Sequence, residues 1–230
     1  TNYLDESGTK DSEYKVVSSN ENFANVTKTA KAFETGKNYI EIPMAPVDDF
    51  VASEGDDNTN VFEYQIGDSS CGDVDGDGEY EIIVKREANH NHAWNAWYGN
   101  RYLEAYKLDG TLLWRIDMGR YMLPLTEFVF LVYDFNNDGI AEIACKTALG
   151  TKDGTGRYVT EASVVPEIKN ADNDKEYEFV NGKVFKGPEY FTLFDGRNGQ
   201  ALDTIEYPVL RGMLKDPDNT YNTWLWGCPD

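Results

Sequence analysis

The sequence predicts an all-β protein built from repeated sheets, and three observations support this prediction. An acidic loop at residues 73–81 leads into an apolar, β-branched run and has a second copy at residues 134–142. A hairpin pattern follows each loop, at residues 102–116 and 190–202. Sustained helical periodicity is absent from the sequence. Repeated units of about four strands indicate blades of a β-propeller rather than a single sandwich.

The first acidic loop has the composition of a calcium site. Three aspartates stand at alternate positions, a glycine follows the third, and a glutamate precedes the apolar run. Carboxylate oxygens suit Ca²⁺, and glycine supplies the positive φ that a tight turn needs. An EF-hand does not fit, because its glutamate comes later in the loop and its flanks are helices. The predicted metal residues here are Asp73, Asp75, Asp77, Glu79 and Glu81.

The second acidic loop repeats the first at the same offsets, with an asparagine in place of the second aspartate. A single run of acids is usually a solvated face, but regular spacing in two copies favours metal binding over that interpretation. The predicted metal residues here are Asp134, Asn136, Asp138, Ile140 and Glu142, and the predicted cofactor is Ca²⁺.

The charge of the chain narrows the classes of partner. With 230 residues and a formal net charge of −20, the chain is unsuited to nucleic acid or to an anionic membrane. Bound divalent cations would offset part of this charge. An anionic polymer remains a possible substrate if metal ions and arginines reverse the local field.

The three cysteines, Cys71, Cys145 and Cys228, show neither a zinc motif nor a disulfide framework. We expect them to be small buried residues, with one disulfide possible in a secreted protein. The sequence contains neither a signal peptide nor an apolar stretch long enough to cross a membrane. Because it begins at Thr1, we expect a processed chain or a piece of a longer one.

Two regions are predicted along the chain. Residues 1–66 are expected to form part of an immunoglobulin- or fibronectin-like β-domain and a connector, with strands at residues 14–17 and 39–43. Residues 67–230 are expected to form the first propeller blades. Asp109-Gly110 predicts a two-residue primed turn in the first hairpin. The second unit carries an insertion at about residues 153–189.

The ordered set of motifs resembles the family 11 polysaccharide lyases across residues 1–230. The stretches that carry the resemblance are residues 72–82, 105–117, 132–135, 145–148, 153–156 and 187–190. The resemblance implies a secreted, calcium-rich, eight-bladed propeller that cleaves rhamnogalacturonan I of pectin by β-elimination. It also implies that this chain is an N-terminal portion, inactive by itself, with only some of the blades.

The resemblance leaves the catalytic base unidentified. Lys146 and Lys152 are weak candidates, because a lysine serves as a base only when its surroundings depress its pKa. Two departures from the family pattern bear on activity. Leu149 stands where the family has aspartate, and residues 121–127 lack the histidine of the family's Gly-Ala-His stretch.

Four residues are candidate contacts to the substrate. Arg120 and Asn100 are expected to bind a uronate carboxylate and a sugar hydroxyl, respectively. Trp94 and Trp97 offer flat apolar faces for stacking on sugar rings, and a role in the core is the alternative. The expected partners are an acidic plant cell-wall polysaccharide and other modules of a larger chain.

Two other functions remain open at the level of sequence. The first is a non-catalytic pectin-binding or carbohydrate-binding scaffold module that keeps calcium-stabilised blades, a hypothesis suggested by Leu149 and the histidine-free turn. The second is an adhesion propeller of the integrin type, which shares only the metal loops.

Overall fold

The computed structural model describes residues 5–9, 11–17, 27–31, 39–48, 50–51, 61–88, 99–122, 129–177, 179–180, 183–184 and 187–208. Its strands are β1 (Glu13–Val17), β2 (Thr27–Lys31), β3 (Phe50–Val51), β4 (Val61–Phe62), β5 (Tyr64–Gly72), β6 (Glu81–Ala88), β7 (Arg101–Tyr106), β8 (Leu112–Gly119), β9 (Phe130–Tyr133), β10 (Glu142–Ala148), β11 (Phe179–Val180), β12 (Lys183–Val184), β13 (Glu189–Phe194) and β14 (Ala201–Glu206). A 3-10 helix covers Val159–Ala162, and helix α1 covers Pro166–Lys169. In these described parts, neither helix is long and apolar enough to span a bilayer. The all-β prediction is confirmed.

The chain divides into two compact units, Thr1–Ile42 and Pro43–Asp230. In the first unit, β1 pairs with β2 in an antiparallel ladder that sets Tyr14 opposite Ala30. The turn before β1 is held by Asp5, which accepts hydrogen bonds from the Ser7 N–H at 2.9 Å and the Tyr14 hydroxyl at 3.2 Å. The predicted strand at residues 14–17 is confirmed.

The predicted strand at residues 39–43 is wrong, because residues 39–48 lie outside the described strands. The prolines of this segment lack the N–H that a sheet ladder needs. In the second unit, the segment's carbonyls bind side chains instead: the Ala45 oxygen accepts from Arg86 at 3.2 Å and the Pro46 oxygen from Arg115 at 3.2 Å.

The first four-stranded sheet has the antiparallel order β5-β6-β7-β8. Its inner strands place Ile82 opposite Tyr106, and a register shift in β5 falls between Ile66 and Ser69. The sheet begins at Tyr64, within residues 1–66, which the sequence assigns to the β-domain and its connector. The predicted division into residues 1–66 and 67–230 stays a prediction.

The second four-stranded sheet has the antiparallel order β14-β13-β10-β9. The segment between β10 and β13 holds both short helices and the β11-β12 pair, where the sequence predicts an insertion. Strands β10 and β13 form the centre of the sheet, with Ile143 opposite Phe194, and both of these residues are fully buried.

The turn between β7 and β8 differs from the predicted two-residue primed turn. The Gly110 N–H donates to the Lys107 carbonyl at 2.9 Å, and the Lys107 N–H donates to the Thr111 carbonyl at 2.9 Å. Gly110 has a φ of 90°. This is a three-residue loop in which glycine occupies the left-handed position after the turn.

Both four-stranded sheets of the second unit contribute to one hydrophobic core. Two hydrogen bonds tie the sheets together at this junction. The Trp114 indole N–H donates to the Gly196 carbonyl at 2.6 Å, and the Ala141 N–H donates to the Asp73 carbonyl at 2.7 Å. Asp73 and Ala141 belong to the two acidic loops, so the loops lie where the sheets meet.

The two described cysteines differ in their surroundings. Both are free thiols, but Cys145 is buried whereas Cys71 is exposed. The expectation of burial is therefore confirmed for Cys145 and wrong for Cys71, and Cys228 lies outside the described residues. Burial raises the pKa of the Cys145 thiol well above its usual value.

Candidate metal centre and neighbouring residues

The first acidic loop joins β5 to β6 and brings three carboxylates together. Asp73, Asp75 and Glu81 each offer one oxygen, and these oxygens lie within 4.8 Å of one another. Glu81 is the first residue of β6 and is 2% exposed. The predicted ligands Asp73, Asp75 and Glu81 therefore form one cluster of hard oxygen donors, the donor type that Ca²⁺ prefers.

Main-chain N–H groups fix the carboxylates of the first loop. Asp73 accepts from the Gly76 N–H at 2.8 Å and the Gly78 N–H at 2.9 Å, while Glu81 accepts from the Val74 N–H at 2.9 Å. The φ values are 82° at Gly76 and 88° at Gly78. Glycine adopts this left-handed conformation without strain, which explains why two glycines occur in so short a loop.

The second acidic loop joins β9 to β10 and repeats these hydrogen bonds. Asp134 accepts from the Gly139 N–H at 2.8 Å, and Glu142 accepts from the Phe135 N–H at 2.8 Å. Asn137 stands at the position of Gly76 and has a φ of 63°, a conformation that asparagine tolerates better than most residues. The repeat seen in the sequence is thus a repeat of structure.

The asparagine of the second loop changes its internal contacts. The Asn136 side-chain amide donates to Glu142 at 2.5 Å and to Asp138 at 3.1 Å. Its amide oxygen remains a possible metal ligand, because Ca²⁺ binds amide carbonyls as well as carboxylates. Of the other predicted residues, Glu79 is exposed, and the Ile140 side chain carries no donor atom.

A lysine from the β7-β8 hairpin contacts the first loop. The Lys107 Nζ lies 2.5 Å from an Asp75 oxygen and 2.8 Å from an Asp77 oxygen. The hydrogen bond from Lys107 lowers the pKa of Asp77, and those to Asp75 and Asp77 raise the pKa of Lys107. The ammonium group of Lys107 therefore neutralises part of the negative charge of the first loop.

Burial separates Glu81 from the other acids of the first loop. Burial raises the pKa of the Glu81 carboxyl, and the Asp75 and Asp77 carboxylates add to that effect, although the Val74 N–H opposes it. A divalent cation bound in the loop would lower the pKa of Glu81, because positive charge nearby favours the ionised carboxyl. The donor atoms of both loops suit calcium in type, but among the described residues only the first loop forms a cluster of three carboxylates.

The candidate substrate residues occupy different surroundings. The Asn100 side-chain amide donates to both Asp117 carboxylate oxygens at 3.0 Å, and the Asn100 main-chain carbonyl accepts from the Tyr64 hydroxyl at 3.0 Å. Arg120 is exposed, and its guanidinium lies 5.8 Å from the centre of the Tyr121 ring. Trp94 and Trp97 lie outside the described residues.

The two candidate lysines also differ in exposure. Lys146 is 8% exposed, and its Nζ lies 2.9 Å from Glu189 and 4.7 Å from the centre of the Tyr207 ring. Lys152 is exposed, and its Nζ lies 5.3 Å from the centre of the Tyr158 ring. Lys146 is therefore engaged in a buried ion pair, whereas Lys152 is open to solvent on one side.

Two residues near these candidates escaped sequence reasoning. Asp117 has a pKa raised by burial, and its main chain exchanges hydrogen bonds of 2.8 and 3.0 Å with Lys152. Lys107 contacts Asp77 of the first acidic loop from a hairpin 30 residues away in sequence. Both lie in the stretch 105–117 that carries the family resemblance, but their contacts depend on strand pairing, which the motif does not show.

Leu149, where the resemblance seen in the sequence implies an aspartate, is 3% exposed and belongs to the hydrophobic core. The neighbouring acid Asp153 is also buried, and it accepts from the Thr155 hydroxyl at 2.7 Å and the Ala201 N–H at 3.1 Å. Asp153 therefore stabilises its own turn and links that turn to the start of β14.

Comparisons with known proteins identify relatives of this chain. A family model described as "Rhamnogalacturonan lyase family 11, C-terminal domain" matches residues 39–224. The chain is 39% identical over 225 residues to the rhamnogalacturonan exolyase YesX of Bacillus subtilis (strain 168). It is 37% identical over 224 residues to the rhamnogalacturonan endolyase YesW of the same strain. Each alignment covers 96% of this chain and 34% of the relative.

The similarity extends to solved structures. The crystal structure of the exotype rhamnogalacturonan lyase YesX matches with a TM-score of 0.72 at 38% identity, covering 96% of this chain and 34% of that one. The Bacillus licheniformis rhamnogalacturonan lyase PL11 matches with a TM-score of 0.69 at 33% identity, covering 91% and 34%. The chain thus spans about a third of the length of these relatives. Since the family model matches most of its residues, the chain belongs to rhamnogalacturonan lyase family 11.

Proposed function

We propose that this chain is part of a calcium-dependent rhamnogalacturonan lyase that cleaves rhamnogalacturonan I of pectin by β-elimination. The observation that carries the proposal is the similarity, over 96% of the chain, to one exolyase and one endolyase that act on rhamnogalacturonan. Because the chain spans 34% of each relative, the activity belongs to a polypeptide that contains this region.

The proposed architecture is a partial β-propeller, with the two four-stranded sheets as neighbouring blades. Each sheet is antiparallel, and an acidic loop joins its first strand to its second. The common core and the Ala141–Asp73 hydrogen bond support side-by-side packing of two such units. The β1-β2 pair of the first unit is proposed to belong to an immunoglobulin- or fibronectin-like domain.

Calcium is proposed to have a structural role in this region. The first loop would hold it with Asp73, Asp75, Asp77 and Glu81, with Glu79 as a further candidate. The second would hold it with Asp134, Asn136, Asp138 and Glu142, with the main-chain carbonyl of Ile140 as a further candidate. Calcium bound there would neutralise carboxylates that otherwise repel one another at the junction of the sheets. Removal of calcium is then expected to loosen the contact between the sheets.

The elimination step sets requirements that this chain meets only in part. The reaction needs positive charge at the uronate carboxylate, a base for the C5 proton, and a group that helps the C4 oxygen to leave. Arg120 is exposed and offers a planar guanidinium for the carboxylate. Lys152 is the more accessible of the two candidate bases, because the ammonium group of Lys146 is held by Glu189. The base itself is proposed to lie elsewhere in the full polypeptide.

A second candidate function is a non-catalytic module that binds pectin or another carbohydrate. The observation that favours it is Leu149, which places an apolar side chain in the core at a position where the family has a carboxylate. Affinity electrophoresis in gels containing pectin tests whether this chain alone binds the polymer. Retardation without any lyase activity in the longer polypeptide would support this second function.

The proposed substrate also implies a location outside the cell. Rhamnogalacturonan I is an acidic cell-wall polymer, and a polymer of that size is degraded where it lies. We therefore propose a secreted protein, whose partner is this polysaccharide. The net charge of −20 makes the metal loops and exposed arginines the expected points of attraction for an anionic chain.

The test of the proposed function uses the longer polypeptide that contains this region. It is incubated with rhamnogalacturonan I in calcium, and the ultraviolet absorbance of the unsaturated uronide is followed over time. The proposal predicts a rise in absorbance that chelation abolishes. New reducing ends without the absorbance would indicate hydrolysis, and an unchanged absorbance in calcium would contradict lyase activity.

A further inference from the structure

The two acidic loops satisfy their central acids with different donors. In the first loop, Asp75 and Asp77 share the ammonium group of Lys107, at 2.5 and 2.8 Å. In the second loop, Asp138 and Glu142 share the neutral amide of Asn136, at 3.1 and 2.5 Å. The donor at the first loop is thus a charged side chain from the β7-β8 hairpin, and the donor at the second loop is a neutral amide of the loop itself.

Arg197 interacts electrostatically with Asp138 and Glu142 of the second loop, but its hydrogen bonds go to another acid. Arg197 donates to Asp195 through Nε at 2.9 Å and Nη2 at 2.7 Å. Among the described residues, no lysine or arginine forms an ion pair with the carboxylates of the second loop. Among the described residues, an ion pair with a lysine is therefore a feature of the first loop and not of the second.

We infer that Lys107 is an internal counterion of the first loop that competes with calcium for Asp75 and Asp77. The inference rests on the calcium binding proposed above. A metal ion that binds these carboxylates must share them with the ammonium group or displace it. Either route weakens binding, because two cations on one carboxylate repel each other and a displaced lysine loses its ion pairs.

The same contact has the opposite effect when calcium is absent. The ammonium group then reduces the repulsion among Asp73, Asp75, Asp77 and Glu81 and helps the loop keep its shape. Lys107 is thus expected to lower the calcium affinity of the first loop and to make the fold less dependent on calcium. A lysine with only a structural role would change stability but leave metal affinity alone.

The test measures calcium affinity and melting together. Calcium is titrated calorimetrically into the chelator-treated chain, in a background carrying Asp138→Asn to weaken the second loop. Lys107→Gln is expected to bind calcium about tenfold more tightly than the background protein. In chelator, its melting temperature is expected to fall by about 2 °C. Lys107→Met serves as a second variant without the charge.

Two control variants separate position from charge. Lys107→Arg keeps the positive charge and is expected to retain the weaker affinity. Lys169→Gln removes an exposed charge from α1, far from the loop in sequence, and is expected to change neither quantity. Equal affinity in Lys107→Gln and the background protein would overturn the inference while leaving calcium binding intact. A wild-type chain that binds no calcium would overturn both the inference and the proposed cofactor.

Discussion

At the scale of single residues, neighbours decide how each buried acid behaves. Hydrogen bonds from Arg197 lower the pKa of Asp195, whereas burial raises the pKa of Asp117. Asp195 directly follows β13, and Asp117 lies near the end of β8. The sequence shows that both residues are acids, but the direction of each pKa shift depends on contacts in the folded structure.

The Asp195–Arg197 contact leads to a prediction about acid stability. A carboxyl whose folded pKa lies below its ordinary value of 3.8 stabilises the fold above that value and loses this contribution as pH falls through the folded pKa. We expect Asp195→Asn to be less stable than wild type at pH 7 and to lose less stability on acidification below about pH 4. Thermal melts from neutral to acidic pH check this. Parallel curves for both proteins would contradict it.

Gly196 gives a second prediction at this scale. A Cβ atom there would lie 2.8 Å from the Val74 carbonyl oxygen and even closer to that of Ala141. We expect Gly196→Ala to destabilise the fold by about 3 kcal/mol, because backbone atoms of the loops cannot move aside. Urea unfolding measures the difference.

Gly156→Ala is the matched control for Gly196→Ala. Gly156 has a φ of 84°, but a Cβ atom there meets nothing within 4 Å. It is expected to cost about 1 kcal/mol, from backbone conformation alone. Equal losses in the two variants would show that crowding at the sheet junction is unimportant.

At the scale of elements, periodic and repeated patterns were predictable, and local exceptions were not. Alternation and repetition predicted the two acidic loops, the strand that follows each loop, and the β7-β8 and β13-β14 hairpins. The strand expected at residues 39–43 is absent, and just beyond it the carbonyls of Ala45 and Pro46 bind arginine side chains rather than a neighbouring strand. The type predicted for the β7-β8 turn was wrong because Gly110 takes the left-handed position after the turn. Each failure depends on partners or dihedral angles that a short motif does not contain.

The acidic loops give the main prediction at this scale. A ligand that binds only the folded state stabilises it, by about 2.7 kcal/mol when its concentration is 100 times its dissociation constant. We therefore expect chelation to lower the melting temperature of the chain by several degrees. Asp75→Ala and Asp138→Ala are each expected to reduce the difference between melts in calcium and in chelator.

A matched variant controls for the loss of one negative charge. Glu176 is exposed and lies outside both loops. Glu176→Ala is expected to show the same calcium-dependent difference in melting temperature as wild type. Identical melting of the wild-type chain in calcium and in chelator would count against metal binding by either loop.

At the scale of the whole molecule, the acidic loops place clustered negative charge at the junction of the two four-stranded sheets. They lie where the two sheets meet, and a hydrogen bond between Ala141 and Asp73 joins them. Sequence motifs identified the family and the clustered acids. They did not identify Lys107 or Asp117, which reach their positions through strand pairing, and the roles expected of Trp94 and Trp97 remain predictions.

The measurement that tests this account most directly is the number of calcium ions bound per chain. Equilibrium dialysis of the chelator-treated chain against calcium is predicted to show one ion for each acidic loop. Asp75→Asn and Asp138→Asn are each predicted to weaken binding at one site and leave the other. A chain that retains no calcium at saturating concentration would contradict the account, because both loops would then be solvated acidic turns.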